Sequence, residues 1–122
     1  MASKLVLTTA LFDQFSSFVT ELSEMYPDDP DFPLFLTTLR LLRATNPSML
    51  AKYILENTAP YEDHILTKNE AFFLEHTFES HGDLNMDILA KLKGYVASMS
   101  STSKESVWKY CQNILRLAKA VQ

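Results

Sequence analysis

An all-α fold, a single compact orthogonal bundle of five to six helices spanning residues 1–122, follows from three observations. Apolar residues recur at helical spacing through five long stretches. Capping and chain-breaking residues separate these stretches. Only two glycines occur, Gly82 and Gly94, too few for a turn-rich β architecture. A chain of 122 residues makes one domain that buries about two-thirds of its unfolded surface.

The first helix is expected from about Thr9 to Tyr26, with Leu11, Phe12, Phe15, Phe18, Val19, Leu22 and Met25 on one arc. The stretch Tyr26-Pro27-Asp28-Asp29-Pro30-Asp31 stops it, because proline disfavours helix in the residue before it. Asp31 is a suitable N-cap for a second helix over Phe32–Ala44, and Pro33 is tolerated in its first turn. That helix carries two apolar stripes. Phe32, Phe35, Leu36, Leu39 and Leu42 form one; Leu34 and Leu41 form another, more than a right angle away. Asn46-Pro47 then starts a third helix, with Asn46 as N-cap and Met49, Leu50, Tyr53 and Ile54 inward, ending near Asn57.

Pro60 opens a short helical turn through Ile65 and Leu66. Thr67 and Glu70 have the spacing of a capping box for a fourth helix to about Ser80, closed by His81-Gly82. Asp83 or Asn85 caps a fifth, which packs Ile88, Leu89, Leu92, Tyr95, Val96 and Met99, with Gly94 on its polar side. A polar hinge, Ser98–Ser103, leads to the last helix, Thr102–Gln122, opened by a Thr102/Glu105 capping box. Val107, Trp108, Cys111, Ile114, Leu115, Ala118 and Val121 share its inner face, and Tyr110 and Leu117 widen that face to roughly half the circumference. An arc this wide needs several covering elements, so this helix is the expected backbone of the core, with Trp108 and Cys111 buried.

No motif for catalysis, a cofactor or a metal stands out, and the chain reads as a non-enzyme. Asp83, Asn85 and Asp87 have the opening spacing of a calcium loop, but Ile88 and Gly94 stand where its glycine and terminal glutamate belong. His64, His76, His81 and Cys111 lack zinc-ligand spacing. Cys111, alone among cysteines, sits in the centre of an apolar arc, where burial opposes thiolate chemistry. It permits no internal disulfide and suits a reducing, intracellular setting. The longest apolar run is far short of the ~20 residues that span a membrane, and no signal-cleavage pattern opens the sequence.

Charge is uneven. Residues 1–66 hold nine of the 15 acids and four of the 11 bases, whereas from Ile88 onward six bases face only Glu105. Lys109, Arg116 and Lys119 line one side of the last helix and could track phosphates; this makes a nucleic-acid-associated protein the alternative reading. The favoured reading is a protein–protein interaction or structural module, pairing with itself or a helical partner. Its candidate contact residues are Leu34, Leu41, Tyr110 and Leu117, the surplus apolar stripes, with Asp28 and Asp29 of the proline-stiffened acidic loop.

Two stretches, EMYPDDPDFPLFL (Glu24–Leu36) and KESVWKYCQNILRLAKAV (Lys104–Val121), resemble small helical proteins of unassigned function from large double-stranded DNA viruses, including those of algae and amoebae. The resemblance implies an intracellular viral protein, used during infection or packaged in the particle. It assigns no functional residue.

Overall fold

The fold was read from a computed structural model that describes residues 3–78 and 88–121. Seven α-helices lie among those residues: α1 Lys4–Met25, α2 Asp31–Thr45, α3 Ser48–Thr58, α4 Glu62–Leu66, α5 Glu70–Glu75, α6 Ile88–Val96 and α7 Ser101–Val121. A 3-10 turn, Ala59–Tyr61, joins α3 to α4. The all-α bundle expected from the sequence is the fold observed. The expected caps at Gly82, Asp83 and Asn85, the Asp83/Asn85/Asp87 spacing and His81 lie outside the described residues.

Helix α1 starts at Lys4, five residues before the expected Thr9, because Ser3 caps it: its Oγ accepts the Val6 N–H at 3.2 Å. Its first turn therefore projects Leu5 and Val6, 76% and 58% exposed. The expected N-cap of α2, Asp31, is instead its first helical residue. Pro30 already has helical angles, and the Asp29 carboxylate accepts the Asp31 N–H at 3.0 Å. Asn46 does not cap α3 either; its side-chain oxygen accepts the Ser48 hydroxyl at 3.1 Å.

The fourth expected helix is much shorter than Thr67–Ser80. Thr67 belongs to the end of α4, its hydroxyl donating to the Asp63 carbonyl at 2.7 Å. The chain reverses at Lys68, which has φ 55°, and Asn69 becomes the cap by accepting the Phe72 N–H at 3.1 Å. Helix α5 ends at Glu75, as His76 turns extended and its carbonyl accepts the Lys93 ammonium at 2.6 Å. The last helix also moves its cap: Ser100 Oγ, not Thr102, accepts the N–H of the third helical residue, Ser103.

Helix α7 packs on α1, α3 and α4, and α1 packs in turn on α2 and α3. It is the central element the wheel indicated. Leu11, Phe12, Val19 and Leu22 of α1 join Val107, Trp108, Ile114, Ala118 and Val121 of α7 in one core cluster. Trp108 is buried and meets Phe73 edge-on, 5.8 Å between ring centres. Cys111 differs from expectation in part: the residue keeps some exposure while lining a small apolar cavity.

Candidate interaction surface

Helix α2 is buried on one side through Phe32, Phe35, Leu39 and Leu42. Its opposite side is occupied by Leu34, Thr37, Leu41 and Ala44, all exposed. Their spacing of i, i+3, i+7 and i+10 is that of a helix-packing seam. Leu34 is 53% and Leu41 62% exposed, so both stripes of α2 exist and, among the described residues, only one is buried.

The threonines along this face are already satisfied. Thr37 donates its hydroxyl to the Pro33 carbonyl at 3.2 Å, Thr38 to Leu34 at 3.1 Å and Thr45 to Leu41 at 2.7 Å. Each is a bond back to the same helix, one turn earlier. With its donors spent in this way, a threonine can be covered without leaving a buried hydroxyl proton unmatched. The seam itself bears no charge, since the charged residues of α2 are Asp31, Arg40 and Arg43. Sequence reading identified Leu34 and Leu41 but missed Thr37, Thr38, Ala44 and Thr45; the seven-residue spacing of the leucines was the available signal.

The other apolar candidates do not join this face. Tyr110 stacks on Phe18 of α1 at 5.1 Å, and its hydroxyl bonds Glu21, which raises the phenol above its ordinary range with help from burial. Leu117 packs against the core and is half-buried. The wide arc of α7 is thus taken up by α1 and α3.

The two acidic candidates separate sharply. Asp28 is exposed. Asp29 is sheltered, its carboxylate 9% exposed, and is held by three donors: the Tyr95 hydroxyl at 2.5 Å, the Asp31 N–H, and the Lys91 ammonium at 3.1 Å. These bonds, led by that from Tyr95, hold its carboxyl below the ordinary 3.8. Lys91 also pairs with Asp31, its strongest contact, and its ammonium is correspondingly favoured. Tyr95 stacks on Tyr26 at 3.8 Å. Asp29 therefore joins the acidic loop to α6, and Asp28 alone projects from it.

On α7, Lys119 pairs with Glu62, and Lys104 pairs with Glu70 at 3.1 Å. Gln112 donates to the Ile65 and Leu66 carbonyls at 3.3 and 3.1 Å, closing the end of α4. Lys109 and Arg116 are exposed and have no ion pair among the described residues. The basic stripe is thereby reduced to two free cations.

An aromatic cluster absent from the sequence reading fills the far end. His64 stacks on Phe72 at 3.7 Å with planes 8° apart, and His76 Nε2 lies 3.0 Å from the Tyr61 hydroxyl. Because Asn69 uses its oxygen to cap α5, its amide nitrogen must donate to His64 Nδ1 at 3.0 Å, which assigns the ring proton of His64 to Nε2. A cavity of about 50 Å³ lies between α1, α3, α6 and α7, lined by Phe15, Ile54, Leu92, Cys111 and Ile114 among others. Burial pushes the Cys111 thiol up to about 12, which opposes nucleophilic use.

Comparisons with known proteins add no relative: no protein-family model, curated protein or solved structure matches this chain.

Proposed function

We propose that this chain is a non-enzymatic interaction module that docks an apolar helix of a protein partner on the outer face of α2. The observation that carries this reading is the seam Leu34, Thr37, Leu41 and Ala44, exposed, uncharged and with its hydroxyl donors already used. Water contact with two leucines on a structured helix costs free energy that only a covering surface recovers, at about 25 cal/mol per Å² of apolar area. Covering this particular face desolvates no charge. The resemblance of residues 24–36 and 104–121 to small proteins of large DNA viruses suggests an infected cell or a viral particle as the setting. Nucleic-acid binding through α7, the alternative, has less support, because Lys109 and Arg116 alone could neutralise only a couple of phosphates.

The test is the double variant Leu34→Lys/Leu41→Lys. It should keep its folding free energy within about 0.5 kcal/mol, as surface substitutions do, and drop out of the complex that the native chain forms in its own cell. A variant that unfolds, or that stays in that complex, refutes the reading.

A further inference from the structure

We propose that the helix docked on this face is α2 of a second copy of the chain, packed antiparallel about a two-fold axis that passes between Thr37 and Thr38. The proposal rests on the reading of α2 as a docking face and commits it to one occupant. Three features of α2 are self-complementary under that operation.

The first is the apolar line. Leu34 and Leu41 lie equally far from the axis, so each leucine meets the other leucine of the partner, and the contact is made twice. The second is size. The side chains beside the axis are threonines, small enough for helix axes to approach to about 8–10 Å. Their hydroxyls donate to Pro33 and Leu34 of their own helix, so closure strands no donor.

The third is charge. Asp28 and Asp29 just before α2 and Asp31 at its start make its N-terminal end acidic, and its C-terminal half carries Arg40 and Arg43. Asp29 and Asp31 are engaged by Lys91, and Arg43 by Asp13 at 3.0 Å. Asp28 and Arg40 are exposed and have no ion pair among the described residues. An antiparallel pair lays the acidic end of each helix beside the basic end of the other and opposes the two helix dipoles favourably. A parallel pair would instead bring the unpaired Asp28 of each copy to the same end and align the two helix dipoles unfavourably. Charges of this kind act at the rim, over distances comparable to the Debye length of about 8 Å, so they select orientation more than they add affinity. A single helix pair is a small interface, and the dimer is accordingly weak, with Kd on the order of 10–100 μM.

Sedimentation velocity on the purified native chain, from about 10 to 500 μM, should show a reversible monomer–dimer equilibrium in that range. Leu41→Lys should weaken it at least tenfold. Orientation is read by disulfide trapping in a Cys111→Ala background. Leu34→Cys mixed with Leu41→Cys should cross-link between the two variants, since facing residues come within the roughly 4.4–6.8 Å Cα separation a disulfide needs. Neither variant should cross-link well alone. A strict monomer at the highest concentration, or efficient cross-linking of Leu34→Cys with itself, overturns the proposal. A chain that is monomeric alone, yet leaves its cellular complex when Leu34 and Leu41 become lysines, overturns self-pairing and leaves α2 as the docking face for another helix.

Discussion

Asp29 is the residue whose environment differs most from what its neighbours in sequence suggest. Three aspartates in four positions read as one acidic loop, yet Asp29 turns inward to the Tyr95 hydroxyl and shares Lys91 with Asp31. A carboxyl held below 3.8 in the folded chain adds stability at any pH above its ordinary range. That contribution is lost as pH falls through the lowered value. Tyr95 behaves oppositely: its phenol is raised, chiefly by the bond to Asp29, so its share is complete below pH 10 and lost above. Tyr95→Phe should destabilise the chain near pH 6 by removing a hydrogen bond to the carboxylate. The difference from the native chain should shrink towards pH 2, as measured by urea melts across that range; a pH-independent difference would exclude Asp29 as the partner that matters. None of this was visible in the sequence, because the pairing joins residues 66 positions apart.

At the scale of elements, local signals located helices well and their ends poorly. Apolar periodicity identified α1, α2, α3, α6 and α7, since a stripe facing the core recurs with the helical turn whatever the neighbours are. Caps fared worse because several hydroxyl and carboxamide side chains compete at each boundary. Thr67 and Asn69 both stand near the start of α5, and tertiary packing of Phe72 on His64 favours the latter. The early end of α5 follows from Lys93, a contact from another helix.

Two substitutions test how these elements hold together. Gly94 lies in α6, exposed, with nothing within 4 Å of the position a Cβ would take. Gly94→Ala should therefore stabilise the chain by about 0.5–1 kcal/mol, the helix-propensity difference, as a rise in the denaturation midpoint. An unchanged midpoint would mean that α6 frays before the chain unfolds. Trp108→Ala in α7 should lose about 3–5 kcal/mol by removing the ring that Phe73 meets edge-on. For a domain of roughly 5–15 kcal/mol this is a large share. A loss below about 1 kcal/mol in denaturant melts would contradict the central place given to α7.

For the whole molecule, the uneven charge of the sequence is partly paired by the fold across helices. Ion pairs link Lys119 of α7 to Glu62 of α4, Lys104 to Glu70 of α5, and Lys91 of α6 to the acidic loop. Basic residues from Ile88 onward thus tie down acidic residues earlier in the chain, a use that one-dimensional reading could not separate from a phosphate-binding stripe. The apolar surplus could be separated only in half. Tyr110 and Leu117 widen an arc already facing the core, and the fold covers them. Leu34 and Leu41 lie across the helix from the core, and the fold leaves them exposed. What distinguishes the two cases is angular distance from the buried arc, which the helical wheel did contain.

The claim that joins these scales is that α2 presents its second face to a partner. A photoreactive benzoylphenylalanine placed at Leu41, compared with one at the exposed Lys52 of α3, tests it most directly in the native cell. The account predicts a discrete protein adduct from position 41, lost when Leu34 is changed to lysine, and none from position 52. Equal labelling from the two positions, or none from position 41, would contradict it.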